Sequence, residues 1–333
     1  LQGEAFWTPG RQGWEGARRD RLLERRAAQL AAAAEALDDH PLLVSSGPEL
    51  PQLERWLQRQ LAQDGERLQE LRRRLWADLR WQRTDRVLLV GGRSLLWALD
   101  PLSAACDGGV SILCGSPSDH NRLQAQVEWL DPLQQPVLLE GLPALSHLDP
   151  EQRFEIIGGR LHQQDLAPAD LEERWASISS RASADAQLRL LISTPELGPI
   201  AALLQLDPLK GLTGSERQQL EALQALESAW LSNDQAMEPL QTTLEQIGWC
   251  LRRERWQETL SLPLDQALID RWLGEGQPYR CRLEASGTEA AGCIPWLRHQ
   301  FEAHRGRGLP QRLCHQRLIG QQQKAPAMPG PKA

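Results

Sequence analysis

Five short apolar runs, each followed by a more polar stretch, set the pattern of the central part of the chain. They read RVLLVG, GVSILCG, PVLLEG, FEIIGG and LRLLIST, and they lie between residues 86 and 194. Continuous apolar runs of this length, bounded by glycine, proline or charged residues, are typical of buried strands in a parallel sheet. The intervening segments carry apolar residues at helical spacing, so strands and helices alternate. This alternation predicts an α/β fold with a doubly wound, mostly parallel sheet.

The flanks of this region predict further helices and one more strand. Leucine, alanine and charged residues at helical spacing predict a helix over 14–37, which forms a helical N-terminal lead-in, and a second helix from about 52 to 81. After Pro195 the spacing predicts two or three helices, and the alternation over 249–262 predicts an antiparallel strand at the sheet edge. The Gln- and Pro-rich segment 321–333 predicts a disordered tail.

Charge and hydropathy narrow the classes of protein. The chain has 37 Lys and Arg against 44 Asp and Glu, a net charge of −7, which argues against nucleic-acid binding over the whole surface. No apolar run reaches the roughly 20 residues of a membrane span, and the start does not resemble a signal peptide. The six cysteines lack CxxC spacing. We therefore expect a cytoplasmic protein that does not contact a membrane.

The end of the first predicted strand is the first candidate for chemistry. Gly91 and Gly92 stand there, followed by Arg93. Ligands of open α/β sheets bind at the carboxyl ends of the strands, where glycines let the backbone approach a cofactor. A tight strand–helix turn is the alternative explanation. Because the segment is neither GxGxxG nor GxxxxGK[ST], we expect no ATPase site in this chain.

The ends of the other predicted strands supply further candidates. An acid at the end of the second strand usually binds the ribose of an adenosine cofactor, but Cys114 stands there and Asp119 follows late, where it can instead cap a helix. Glu140 ends the third strand and is placed to meet an adenine amine or to lie on the surface. The candidates for cofactor binding are Gly91, Gly92, Arg93, Ser116, Asp119, Glu140 and Gly158.

No residue can be assigned to catalysis from the sequence. His162 follows the fourth predicted strand and is either a base or a solvated loop histidine. GxSxG and HExxH motifs are absent. His299 and His304 are five residues apart, off the i, i+4 spacing of a helical metal pair, so we expect no metal site.

Arginines cluster within 18–26, over 72–74 and near the C-terminus. Such groups can hold the phosphates of DNA, and the alternative is a solvated face on which they pair with acids. The C-terminal cluster comprises Arg298, Arg305, Arg307, Arg312 and Arg317.

The first 22 residues, LQGEAFWTPGRQGWEGARRDRL, resemble the end of the C-terminal domain of RarA-type (MgsA-type) AAA+ ATPases. Those proteins finish with a pattern close to LxGxxFYxPxxxGYExxIxxxL. The resemblance implies a chain cut from a longer polypeptide, with the parent ATPase domain as a partner and a role in DNA replication or recombination. The matching positions are Leu1, Gly3, Phe6, Trp7, Pro9, Gly13, Trp14, Glu15 and Leu22.

The remainder, from about 40 to 320, resembles the extra domain that cyanobacterial versions of this ATPase carry, which is itself similar to class I S-adenosylmethionine-dependent methyltransferases. The resemblance implies a Rossmann-like sheet of seven strands, with a cofactor pocket at the carboxyl ends of strands one to four. The expected domains are 1–40, the helical end of the ATPase domain, 41–320, the methyltransferase-like domain, and the tail 321–333.

Three departures from the methyltransferase pattern bear on activity. Val90 or Leu89 replaces the acid of the first motif, Arg93 replaces a small residue, and GGRL replaces the [DNS]PP[YFW]-like catalytic turn. The two missing acids, one in the first motif and one at the end of the second strand, would each contribute about 1–3 kcal/mol to binding. Their absence would weaken cofactor binding by about one to four orders of magnitude. We therefore expect a degenerate accessory domain that acts in DNA or partner binding, with S-adenosylmethionine bound weakly or not at all. The alternative is an active S-adenosylmethionine-dependent methyltransferase.

Overall fold

The computed structural model describes residues 67–128, 130, 132–166, 171–206, 213–233 and 237–322. The expected domain 1–40, the helix over 14–37, the arginines of 18–26 and the tail beyond residue 322 lie outside these residues.

Seven strands form one sheet in the order β3-β2-β1-β4-β5-β7-β6. Strands β1 to β5 are parallel to one another, whereas β7 is antiparallel to both of its neighbours, β5 and β6. This confirms the doubly wound, mostly parallel sheet. The strands are β1 (Val87–Gly92), β2 (Val110–Cys114), β3 (Val137–Glu140), β4 (Phe154–Leu161), β5 (Ala182–Pro195), β6 (Trp249–Pro263) and β7 (Gly308–Gln322).

Helices flank both faces of the sheet and extend past its carboxyl edge. None of the described helices is both long and apolar enough to cross a membrane. Short 3₁₀ segments occupy Leu95–Ala98, Pro132–Gln134 and Gln163–Leu166. The α-helices are α1 (67–75), α2 (Leu99–Ala104), α3 (Pro117–Val127), α4 (Pro143–Ser146), α5 (Leu171–Ser179), α6 (Pro199–Gln205), α7 (Gly214–Asn233), α8 (Glu238–Gln246), α9 (Gln266–Leu273), α10 (Pro278–Ala285), α11 (Thr288–Gly292) and α12 (Ile294–Ala303).

The apolar runs of the sequence are continuous because the central strands are buried on both faces. Val87 and Leu89 of β1 pack into the cluster beneath α1, whereas Leu88 and Val90 pack into the cluster beneath α5 and α8. Successive side chains of a strand point to opposite faces, so a strand with helices on both sides needs apolar residues throughout. A third cluster joins α6, α7 and the helices from α9 to α12.

The structure confirms all five strands of the central region and the antiparallel strand near residue 249. It extends β4 to Leu161, beyond the predicted end at residue 159, so Gly158 lies within the strand rather than at its carboxyl end. A Cβ atom on Gly158 would stand 2.7 Å from both the carbonyl oxygen of Arg189 and the ring of Trp76. That glycine lets helix α1 and its neighbouring turn approach the sheet.

Strand β7 is the main difference from the sequence analysis, in which the residue pattern predicts no strand over 308–322. It lies between β5 and β6, and His315 and Arg317 are 0 % and 3 % exposed. Arg317 bonds Glu254 at 3.1 Å, so its charge is matched inside the sheet and it does not belong to an exposed basic patch. The strand also extends to Gln322, two residues into the predicted tail.

Candidate functional site

Both glycines at the end of β1 are required by neighbouring strands. Gly91 has a φ of +69°, and a Cβ atom there would lie 2.5 Å from the carbonyl oxygen of Arg160 on β4. A Cβ atom on Gly92 would lie 2.3 Å from Cγ2 of Ile112 on β2. These contacts are far below ordinary van der Waals distance, so packing alone explains the two glycines.

Arg93, the next residue, turns back over the carboxyl edge of the sheet. Its side chain is only 6 % exposed, and its two terminal nitrogens each lie 3.2 Å from a different carboxylate oxygen of Asp165. The Nε atom lies 3.7 Å from Asp119 Oδ2. The guanidinium therefore joins the turn after β1 to the segment after β4 by a bidentate ion pair, which is the strongest geometry for an arginine–carboxylate contact.

The two acids of this cluster have further partners inside the protein. Ser116 is the N-cap of α3: its hydroxyl accepts a hydrogen bond from the backbone N–H of Asp119 and donates one to Asp119 Oδ2, at 3.2 and 2.7 Å. Asp165 accepts a hydrogen bond from the backbone N–H of His162 at 2.8 Å and lies 3.7 Å from Arg174. Each carboxylate is therefore held by groups of the protein itself.

A small cavity adjoins this cluster at the carboxyl ends of β1, β2 and β3. Its volume is about 70 Å³. Gly91, Gly115 and Gly141, one at the end of each strand, contribute backbone to its wall, and Asp165 and Arg174 contribute the charged groups. The other lining residues are Val90, Leu113, Cys114, Leu142, Leu161, Trp175 and Ile178.

The structure brings some of the predicted cofactor-binding residues together and leaves others apart. Arg93, Ser116 and Asp119 form one cluster, and Gly91 lines the adjoining cavity. Glu140 is exposed at the end of β3 and does not line the cavity, whereas Gly158 lies beneath Trp76.

His162 differs from the solvated loop histidine considered in the sequence analysis. Burial, followed by the positive charges of Arg160 and Arg93, holds the pKa of His162 well below its usual range. Its imidazole is therefore neutral near pH 7.

These residues do not fit the conventional binding set for S-adenosylmethionine. Pockets that enclose ligands of this size typically measure about 300–1,000 Å³, well above the cavity found here. Cys114 stands where an acid would bind the ribose, and burial raises the pKa of its thiol to about 12, so it carries no charge. The nearby acids, Asp119 and Asp165, face Arg93 instead.

Sequence reasoning missed Asp165, Arg174 and Trp175. Asp165 lies four residues past the end of β4, within the segment that contains His162. Because β1 and β4 are parallel neighbours, the segment after β4, which carries Asp165, lies beside the turn that carries Arg93. The sequence alone does not give this strand order, so the pair could not be predicted from it.

The arginine clusters have different surroundings. Arg73 and Arg74 both bond Glu70 at 2.7 Å, and Arg72 lies 3.0 Å from Asp100, so the second cluster is a salt-bridged face. In the C-terminal cluster, Arg298 bonds Asp270 at 2.5 Å. Arg305, Arg307 and Arg312 are exposed around the turn between α12 and β7. Within the described part of the chain, no group of three His, Cys, Asp or Glu side chains is arranged to hold a metal ion.

No protein-family model matches the chain, and no curated protein matches it in sequence. The sheet has the seven strands that the resemblance to class I S-adenosylmethionine-dependent methyltransferases implies, with β7 antiparallel between β5 and β6.

Solved structures that are similar to this chain are methyltransferases and related synthases of low sequence identity. The precorrin-6y C5,15-methyltransferase of Geobacter metallireducens GS-15 is 12% identical, with 74% of this chain and 86% of that chain covered and a TM-score of 0.38. The cyclopropane synthase MmaA2 of Mycobacterium tuberculosis is 14% identical, with 88% and 98% covered and a TM-score of 0.40. The geranyl diphosphate C-methyltransferase of Streptomyces coelicolor A3(2) is 10% identical, with 90% and 97% covered and a TM-score of 0.40.

Proposed function

We propose that this chain is an accessory, non-catalytic methyltransferase-like domain of a replication or recombination AAA+ ATPase, and that it acts by binding DNA. The observation that carries the non-catalytic part is the buried ion pair of Arg93 with Asp165, which closes the strand edge with the protein's own groups. The link to the ATPase rests on the resemblance of residues 1–22.

The ion pair opposes cofactor binding for a thermodynamic reason. A cationic ligand such as S-adenosylmethionine would need a free carboxylate at this edge, and freeing one means separating a pair whose side chains are 6 % and 8 % exposed. Breaking a buried pair costs about 3–5 kcal/mol, which corresponds to a loss of about two to four orders of magnitude in affinity.

DNA binding is assigned to the exposed arginines around the turn between α12 and β7. Arg305, Arg307 and Arg312 lie there, whereas Arg298 is held by Asp270 and Arg317 is buried in the sheet. Arginine binds phosphate through paired, charge-assisted hydrogen bonds, and several such contacts make affinity strongly dependent on salt.

Fluorescence anisotropy with forked DNA over a series of salt concentrations tests this assignment. We expect affinity to fall as salt rises. Replacing Arg305, Arg307 and Arg312 together by glutamine should lower the slope of log affinity against log salt by about 2 to 3. Arg73→Gln and Arg83→Gln, at exposed ion-paired positions elsewhere, are matched controls. An affinity that does not vary with salt, or a slope unchanged in the triple variant, would rule out DNA binding through this turn.

An active S-adenosylmethionine-dependent methyltransferase is the second candidate, and the observation that favours it is the glycine backbone at the cavity wall rather than the volume of the cavity. The backbone of Gly91, Gly115 and Gly141 borders this space at the ends of three adjacent strands, the edge at which ligands of α/β sheets bind. A thermal-shift measurement separates the two candidates. A ligand present at 100 times its Kd stabilises the folded state by about 2.7 kcal/mol, which raises the Tm of a domain this size by several degrees. We expect millimolar S-adenosylhomocysteine to leave the Tm unchanged.

A further inference from the structure

Three polar side chains form a continuous hydrogen-bonded chain across β5, β7 and β6, away from the Arg93 cluster. Ser193 Oγ lies 2.8 Å from His315 Nδ1, and His315 Nε2 lies 3.0 Å from Glu258 Oε2. Ser193 and His315 stand directly opposite each other in the antiparallel pairing of β5 with β7. Ser193 also lies two residues before the carboxyl end of β5, so the chain is near the edge at which α/β sheets bind ligands.

The protonation states follow from the surroundings. Burial opposes ionisation of Glu258, but the hydrogen bond from His315 and the charge of Arg67 outweigh it and hold the carboxyl pKa below its usual range. Burial lowers the pKa of His315, so its imidazole is neutral near pH 7. An ionised carboxylate only accepts hydrogen bonds, so the ring proton lies on Nε2, and Nδ1 accepts the hydroxyl proton of Ser193.

The imidazole is held in place by a stacked ring and by the carboxylate that accepts its hydrogen bond. The ring of Trp256 stacks on it with centroids 5.3 Å apart and an angle of 27° between the planes. Arg67 lies 3.5 Å from Glu258 and fixes the carboxylate in turn. His315 is 0 % exposed, whereas Ser193 and Glu258, at the two ends of the hydrogen-bonded chain, are partly exposed. A substrate can therefore approach the chain from the Ser193 end without contact with the imidazole.

The hydroxyl of the neighbouring residue, Thr194, has a different kind of hydrogen-bond partner from that of Ser193. Its side chain donates to the backbone carbonyl of Cys314 at 3.4 Å. Ser193 instead donates to a neutral base that a carboxylate orients, which is the arrangement that activates serine nucleophiles.

We propose that Ser193, His315 and Glu258 form a nucleophilic serine site whose substrates are carboxylic esters. The proposal does not depend on the function proposed for the Arg93 edge, because none of its residues belongs to that cluster.

The step balances with the groups present. Ser193 Oγ forms a bond to the ester carbonyl carbon while its proton passes to His315 Nδ1 and the carbonyl electron pair moves onto oxygen. When that pair returns, the bond to the alcohol oxygen breaks, and the alcohol leaves with the proton from Nδ1. Water then adds to the acyl carbon while its proton passes to His315 Nδ1. When the carbonyl re-forms, the bond to Ser193 Oγ breaks, Oγ takes the proton from Nδ1, and the carboxylic acid is released. Glu258 keeps Nε2–H oriented and stabilises the imidazolium throughout.

A fluorophosphonate probe tests the site, because it reacts with base-activated serines with loss of fluoride and leaves a stable bond from phosphorus to Oγ. Incubation of the full chain at pH 8, followed by peptide mass spectrometry, should place the adduct on Ser193. Ser193→Ala should remove the adduct, and His315→Gln should slow labelling by about 100-fold or more. Ser261→Ala, at an exposed position of β6, is the matched control and should label at the rate of the unaltered chain.

Glu258→Gln separates a positioning role from a structural one through the pH profile of labelling. The groups that set the pKa of His315 are Glu258 on β6, Arg160 on β4 and Arg67 on α1. Of these, Glu258 raises that pKa, so its replacement should extend labelling to lower pH while reducing the maximal rate.

Three results would each overturn the proposal. The first is a folded chain, checked by circular dichroism, whose Ser193 peptide is recovered without an adduct. The second is an adduct on another residue alone. The third is a folded His315→Gln variant that labels as fast as the unaltered chain.

Discussion

Arg93 illustrates how one side chain can change the use of a whole strand edge. Its neighbours Gly91 and Gly92 are explained by contacts with β4 and β2, and its guanidinium is buried against Asp165 and Asp119. An exposed arginine after the same glycines would leave both carboxylates available. Because the pair is buried and bonded through both terminal nitrogens, it acts as a fixed part of the protein.

Replacing Arg93 by leucine should lower the free energy of unfolding by about 3–5 kcal/mol, because the buried carboxylates of Asp119 and Asp165 lose the cation between them and Asp165 keeps only Arg174, at 3.7 Å. Urea denaturation of both proteins measures the difference. Asp165→Asn added to this variant should recover part of the loss, since one of the unpaired charges is then removed. Arg73→Leu, at an exposed position, should change stability little. A loss no greater than that of Arg73→Leu would contradict the account of Arg93.

Glu227 is a second buried acidic side chain, and it connects three of the helices, α6, α7 and α10. The carboxylate accepts hydrogen bonds from the backbone N–H groups of Ile200 and Ala201, near the start of α6, and from the hydroxyl of Tyr279 at 2.7 Å. It therefore caps α6 from a distant helix, α7, and joins both to α10. Burial raises the pKa of Glu227, and these three hydrogen bonds only partly offset that effect.

The raised pKa of Glu227 predicts a pH dependence of stability. The folded protein holds the proton of this carboxyl more tightly than the unfolded chain, so stability falls as pH rises from the unfolded pKa of about 4.5 through the higher folded value. In Glu227→Gln, urea denaturation over pH 4 to 8 should show a smaller fall in this range. The amide cannot accept from both backbone groups as the carboxylate does, so overall stability should drop by about 1–3 kcal/mol. An unchanged pH profile would contradict this assignment.

Among the elements, the strands that the sequence predicts well are those buried between two layers of helices. The five strands β1 to β5 present continuous apolar runs because both of their faces are covered. These runs were sufficient to predict the strands from the sequence. Strand β7 could not, because its buried positions include Gln311, His315, Gln316 and Arg317. The partners of His315 and Arg317, Glu258 and Glu254, lie on β6, more than fifty residues earlier in the chain.

The close approach of α1 and its adjoining turn to β4 gives a prediction at the level of elements. Gly158→Ala should destabilise the protein by about 1–3 kcal/mol, because the added methyl group would lie 2.7 Å from both the backbone carbonyl oxygen of Arg189 and the buried ring of Trp76. Gly292→Ala is the control, because nothing lies within 4 Å of its added Cβ atom. Thermal unfolding measures both. Equal Tm values for the two variants would show that Gly158 is not needed for packing.

For the molecule as a whole, the fold could be predicted further than the site. Alternating strands and helices were sufficient for the doubly wound sheet, and Gly91, Gly92 and Arg93 could be identified as the turn after the first strand. The role of Arg93 could not, because its partner Asp165 is 72 residues later and meets it only through the parallel pairing of β1 with β4. Ser193, His315 and Glu258 escaped sequence analysis for the same reason, since they come from three strands.

This doubly wound sheet holds its own Arg93 at the edge where a cofactor-binding protein needs free polar groups. Isothermal titration calorimetry of the full chain with S-adenosylmethionine and S-adenosylhomocysteine tests this placement, with Gly115→Val as the variant that adds a side chain at the cavity wall, where a Cβ atom meets nothing nearer than 3.6 Å. We predict no binding tighter than a Kd of about 100 µM, which corresponds to about −5.5 kcal/mol. Tighter binding by the unaltered chain that is lost in a folded Gly115→Val variant would show that the carboxyl edge binds the cofactor despite Arg93.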